Sequence, residues 1–291
     1  MKKQGIVLVV LLFASLACGV SSPAAPETSD VESAVAATLT ALSPLSQETE
    51  ATPTQAGGVA VSFSGAGFTI PQGLATGATP AVIPASLDPQ APTWDIHPSF
   101  AEFALDGYIL HGKFHEPVIR IYPVTEFESV NEGAAGIINE MRDLLTSQGS
   151  PLPFNLPFLP LFNAGQMFHS NEQFIAFQNG TGLRYLTQYG QDISPVNNHA
   201  LFYTFQGITN DGKYYVSAIL PVNAPFLVEF PSPEYPTPPN GIPFDWENWE
   251  NAQAYMDAVT QQLNSTDPTA FTPPLTTLDT FIASILVTGT P

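Results

Sequence analysis

Cysteine is almost missing from this sequence, and so is positive charge. A single cysteine, Cys18, excludes any disulfide within the chain and any thiolate-only metal site. Seven Lys and Arg stand against 26 Asp and Glu, for a formal charge of −19. Charged residues of both signs make up only 11%, where an average soluble domain has roughly a quarter. A surface so poor in cations repels phosphate backbones and anionic membrane surfaces, so no nucleic-acid partner is expected. Catalytic signatures are missing too. There is no nucleophile elbow, P-loop, zincin helix, EF-hand loop or Cys-His arrangement, and no cofactor is expected. His115-Glu116-Pro117 fails as a zincin because no second histidine follows at the right spacing and proline excludes the helix.

What is present is apolar and punctuated by proline. Hydrophobic residues reach 44%, enough for a substantial core, and there are 29 prolines. Residues 1–17 read as a signal peptide. Lys2 and Lys3 precede an apolar run, Ile6 to Leu12, that is too short for a good spanning helix and passes into small residues. Its removal would leave 5 basic against 26 acidic residues, a charge of −21. Ser15-Leu16-Ala17-Cys18-Gly19 resembles the bacterial lipobox, in which the cysteine becomes the lipid-modified first residue. The expectation is a membrane partner through an N-terminal lipid anchor at Cys18, on the extracytoplasmic face of the cell membrane.

Residues 18–58 are rich in Ala, Ser, Thr and Pro and read as a disordered tether. Within them, Val31, Val35, Leu39 and Leu42 recur at helical spacing behind Ser29-Asp30, as a transient helix would. Residues 59–291 read as a single α+β domain, with Pro-rich loops at 151–162 and 223–244.

The strongest local signal is Ala200 to Val222. Alternating aromatic and β-branched residues flank Asn210-Asp211-Gly212, which predicts a central hairpin covered on both faces. A hairpin is also predicted around Gly65-Ala66-Gly67. Another is predicted from Gln173 to Tyr189, with Asn179-Gly180 as a type I′ turn. A short strand is expected near Ala81-Val82-Ile83, and two strands between Phe103 and Tyr122, the first through Tyr108-Ile109-Leu110. Ser129 and Glu132 match a capping box ahead of an apolar stripe from Val130 to Leu145. Asp245 would cap a helix from Trp246 to Leu263, and a last helix would run from Leu275 to Val287. Successive antiparallel hairpins with helices between and after them define an α+β fold, an antiparallel sheet flanked by helices.

Gly67-Phe68-Thr69-Ile70-Pro71, the strand-to-helix passage from Ile119 to Leu145, the central hairpins and the closing segment Thr277 to Leu286 together resemble the PsbP-like fold. That is the family of the extrinsic photosystem II subunit and its bacterial and lumenal relatives. The resemblance covers roughly residues 59–287. It implies an α/β/α sandwich and an accessory or assembly role without catalysis, and it carries over no functional residue. The chain also resembles a family of uncharacterised bacterial lipoproteins.

Two constellations offer chemistry. Asp95, His97, His111, His115 and Glu116 bring two imidazoles and a carboxylate near one another in sequence, a weak metal-binding pattern opposed by the cation of Lys113. Solvated histidines at strand ends are the plainer reading. Phe154, Phe158, Phe162, Phe226, Tyr235, Phe244, Trp246 and Trp249 sit on the proline-held loops. They are the ligand-binding candidates, as a groove for a protein or apolar ligand or as caps on the sheet. The leading expectation is a lipid-anchored accessory or binding module without catalytic activity. One alternative is a carbohydrate-active or other hydrolase using carboxylates such as Glu102, Glu116 and Asp211. The other is a carrier with an aromatic-lined pocket for an apolar ligand.

Overall fold

The computed structural model describes residues 57–149 and 151–290. Cys18, the expected signal segment, nearly all of the tether and its helical stretch lie outside the described residues. The elements come in the order β1 (Val59–Phe63), β2 (Ala66–Ile70), β3 (Gly77–Ile83), β4 (Phe100–Asp106), β5 (Val118–Pro123), α1 (Val124–Val130), α2 (Glu132–Ser147), β6 (Gly165–Phe177), β7 (Gly180–Gly190), β8 (Phe202–Thr209), β9 (Tyr214–Pro221), α3 (Ala252–Ser265), α4 (Leu275–Ala283) and β10 (Leu286–Val287). Seven strands form an antiparallel sheet in the order β3-β4-β5-β9-β8-β7-β6, and β1, β2 and β10 form a second, smaller one. The fold is α+β, with all named strand pairs antiparallel.

The two faces of the large sheet follow from its period of two. Phe103, Ile119, Val216, Tyr203 and Phe205 point to one side. There they pack with Val259 and Leu263 of α3, Leu278 and Phe281 of α4, and Phe68 and Ile70 of β2. Tyr122 and Tyr215 point to the other side, where they meet Phe127 of α1 and Ile138 and Met141 of α2. Tyr185, Phe202 and Ile219 share that side and pack with Leu156 and Phe158. Helices therefore lie on both faces, and every residue of β8 is buried, as the doubly apolar hairpin requires.

The sheet ends in two unlike edges. β3 carries Pro80, opposite Phe103, so one backbone donor is missing there. It is longer than the short strand expected near residue 81. β6, at the far edge, shifts register twice, between Gln166 and Phe168 and between Ser170 and Gln173.

Several local expectations are corrected. The expected capping box does not form. Asn131, at φ −142°, separates α1 from α2, and its side chain accepts the Ala134 N–H at 3.0 Å. Ser129 instead donates to the Glu126 carbonyl. Asn is the better cap, and its short amide competes with the helix for backbone donors. Tyr108-Ile109-Leu110 is not a strand. Gly107, at φ +58°, turns the chain out of β4, and the buried Tyr108 hydroxyl donates to the Pro221 carbonyl at 2.9 Å.

The β6–β7 turn is Gln178-Asn179, and neither residue has positive φ. Gly180 is needed for space: a Cβ there would lie 2.1 Å from the Phe177 ring. The Asn179 amide is occupied elsewhere, accepting from the Val287 N–H and donating to its carbonyl.

α3 starts at Ala252, after a single turn of 3₁₀ helix from Trp249 to Asn251, because Asp245 caps only the local turn at Glu247 and Asn248. α4 stops at Ala283. The chain then extends so that Leu286 and Val287 pair with Gly67 and Ala66, which leaves Leu286 exposed, not on a helical apolar face.

Candidate functional site

A row of polar residues crosses the centre of the large sheet. Glu102 on β4 is paired with Arg120 on β5, Arg120 with Ser217 on β9, and Ser217 with Gln206 on β8. All four lie on the face that meets α1 and α2, flanked by Tyr122 and Tyr215. Polar groups in the middle of a sheet are tolerated only when they are paired or wet. The two halves of the row solve this differently.

The Ser217–Gln206 half is sealed. Gln206 is fully buried, and its amide both accepts from the Leu159 N–H (3.0 Å) and donates to the Leu159 carbonyl (3.2 Å). Ser217 donates to the same carbonyl, and the Tyr215 hydroxyl donates to the Gln206 oxygen at 2.8 Å. The loop through Leu159 is thereby fixed over β8 and β9.

The Glu102–Arg120 half is open. The Arg120 Nε donates to Glu102 Oε2 at 2.7 Å, and both side chains are between a fifth and a quarter exposed. They lie on the floor of a cleft of about 360 Å³. One wall is Pro160 to Asn163, the continuation of the segment held by Gln206. The other is the turn from Thr93 to His97, which carries the half-exposed indole of Trp94. Asn131 fixes this second wall: its Nδ2 donates to the carbonyls of Thr93 and Ile96, each at 2.8 Å, while its oxygen caps α2. Tyr122 closes the inner end. Burial raises its phenol well above the ordinary value, against a downward pull from Arg120 and with a further upward push from Glu102, so the hydroxyl stays protonated.

The histidines do not converge. Among the described residues no three His, Cys, Asp or Glu side chains could share a metal ion. His97 rests against Phe100 with Nδ1 at 2.9 Å from the Pro98 carbonyl, and His111 is exposed. His115 is stacked on Phe162 (centroids 5.4 Å, planes 9° apart) and meets Phe202 edge-on at 4.5 Å. Its Nε2 is buried without a partner, and burial, aided by Arg120 and His199, lowers its pKa to about 4. Lys113 is bound to Glu229 at 2.6 Å and ties the loop before β5 to the 223–244 loop.

The eight aromatic candidates occupy three separate places, Trp249 packing against the second of them. Phe158 and Phe162 pack with Tyr189 and Phe202 over the sheet. Phe226, Tyr235, Phe244 and Trp246 surround a cavity of about 40 Å³, room for a few waters and far below the roughly 300 Å³ of a small-molecule site. Phe154 is 70% exposed beside Met167 and Met256, and Trp249 is 52% exposed with its edge toward Phe244. They form no common groove, and the one cavity that four of them enclose is too small for an apolar chain.

The three carboxylates named as candidate catalysts also stand apart. Glu102 is held by Arg120. Glu116 precedes the start of β5, whereas Asp211 lies in the β8–β9 turn beside its end, a separation of roughly 20 Å along the strand.

Of the cleft's lining, sequence reading named Phe162 as a ligand-binding candidate, and Glu102, Asp95 and His97 for other roles. It passed over Trp94, Arg120, Tyr122 and Asn131. The available signal was Arg120 itself, a cation at an inward position of the apolar strand Val118-Ile119-Arg120-Ile121-Tyr122. Comparison with protein-family models, with curated proteins and with solved structures found no match.

Proposed function

We propose that this chain is a lipid-anchored, extracytoplasmic binding module, held to the cell membrane through Cys18, with no catalytic activity of its own. The contact site in this reading is the cleft above Glu102 and Arg120. One observation carries it: an ion pair in mid-sheet is left open to solvent between two walls that buried amides hold in place. A site built on sheet and helix with fixed walls is preorganised for recognition. The named carboxylates do not come together as a glycosidase pair requires. The antiparallel sheet with helices on both faces supports the accessory role that the PsbP-like resemblance implies, including its α/β/α sandwich.

The test has two parts. The N-terminal peptide of the protein purified from membranes should carry a diacylglyceryl thioether on Cys18, and Cys18→Ala should shift the protein to the soluble fraction. An unmodified terminus rules out the anchor. Capture from solubilised membranes should then recover a ligand or partner with the unaltered bait and lose it with Trp94→Ala. Equal recovery by both baits removes the cleft from the reading, and turnover of a substrate removes the non-catalytic role.

A further inference from the structure

We propose that the cleft over β4 and β5 takes a neutral saccharide, with Trp94 stacking on a sugar ring and the Glu102–Arg120 pair reading its hydroxyls. This rests on the binding-module reading above and names its ligand class.

The argument begins with unused hydrogen-bonding capacity. Among the described residues, the Arg120 side chain makes one hydrogen bond, from Nε to Glu102 Oε2. Within the same described residues its two terminal nitrogens and Glu102 Oε1 have no protein partner, and none of them is among the buried polar atoms left unsatisfied. They face the cleft. A guanidinium presents planar donors in a fixed fork, and here a carboxylate acceptor sits beside it. A ligand that fits must offer acceptors and a donor side by side, as the adjacent hydroxyls of a sugar do.

Charge narrows the choice further. An anion would meet the bare oxygen of Glu102, Asp95 at the wall and a chain of net charge −19. A cation would meet Arg120. An apolar ligand would cover the free nitrogens and oxygen without pairing them, a loss of hydrogen bonds to water that nothing repays. What remains is uncharged and rich in hydroxyls.

The wall supplies the other half of sugar recognition. Trp94 is 42% exposed although Asn131 pins the turn that carries it. An indole held rigidly at a cleft mouth offers a flat apolar face at little entropic cost. A pyranose has just such a face of C–H groups with hydroxyls around its rim. The cleft volume of about 360 Å³ is at the lower end of small-molecule sites.

The experiment uses the full chain in a zwitterionic, sugar-free detergent. Of the three tryptophans, Trp246 and Trp249 are replaced by Phe so that Trp94 alone reports. Neutral di- and oligosaccharides, a charged uronic-acid oligomer, a zwitterionic amino acid and an uncharged peptide are titrated, with calorimetry on the unsubstituted protein in parallel. At least one neutral saccharide should saturate the Trp94 signal with a Kd of about 1 mM or tighter. Trp94→Ala and Glu102→Gln, each checked for an unchanged thermal transition, should weaken calorimetric binding at least about tenfold.

Absence of saccharide binding overturns the proposal, as does binding that both variants retain. Preference for the peptide or the amino acid overturns the saccharide but leaves a binding module. Hydrolysis of a bound saccharide would do the reverse, keeping the ligand class and ending the non-catalytic reading.

Discussion

Gln206 grips Leu159 by both ends of its side-chain amide, one bond to the N–H at 3.0 Å and one to the carbonyl at 3.2 Å. A residue on the most buried strand thus dictates where a proline-rich loop lies, and that loop becomes a wall of the cleft. Gln206→Leu removes both bonds; the carbonyl keeps Ser217, but the Leu159 N–H and the buried Tyr215 hydroxyl lose their acceptor. The expected loss is at least about 2 kcal/mol, since each buried group left unpaired costs on the order of 1–3 kcal/mol. Urea unfolding of the variant measures it, and an unchanged midpoint would show the grip to be idle.

Asn131 does for the opposite wall what Gln206 does for the first. Asn131→Ala deletes the α2 cap and both bonds to the Thr93–Ile96 turn. Loss of the cap alone costs about 1 kcal/mol. Freed from its clamp, Trp94 should become more accessible to acrylamide quenching in a background lacking Trp246 and Trp249. The same quenching constant before and after would place the rigidity of Trp94 elsewhere.

His115 sets an acid limit on stability. Its folded pKa of about 4 lies below the ordinary 6.5. Between those values the unfolded chain binds a proton that the folded one refuses, so stability rises with pH and is lost as pH falls from 6.5 toward 4. At 1.36 kcal/mol per unit the contribution is at most about 3 kcal/mol. His115→Phe should shrink the difference between urea midpoints at pH 7 and pH 4.5. An equal acid loss in variant and parent would exclude His115 as the source.

Gly182 tests the packing on the other side of the sheet. A Cβ there would lie 2.4 Å from both the Gln206 carbonyl oxygen and the Phe205 ring. Gly182→Ala should destabilise by about 1–3 kcal/mol, the usual range for overpacking. Circular dichroism melts would read the loss, while Trp94 quenching should stay as it is because the strain falls across the sheet from the cleft.

The architecture was legible where periodicity was long. Val216-Ser217-Ala218-Ile219 and its partner strand alternate so plainly that the central hairpin and its burial could be read off, and the apolar stripe from Ala134 to Met141 marked α2. Local competition hid the rest. Asn131 outbid Ser129 as a cap, Gly107 cut short the run at Tyr108, and Gly180 answered to the Phe177 ring instead of a turn dihedral. The cleft was less legible still. Its floor joins residues 102 and 120, and its walls come from residues 93–97 and 160–163 through amides at 131 and 206. No local pattern encodes such a meeting. The aromatic density of the proline-rich loops drew attention precisely because it was local, and most of it fills the space around the sheet.

Pro80 and the two register shifts of β6 bear on crowding. Strands at the margins of a long antiparallel sheet are templates onto which a second copy can zip. Here one margin lacks a donor at its middle and the other is kinked twice out of regular spacing. A second copy added at either margin of the large sheet would therefore find no regular ladder to extend.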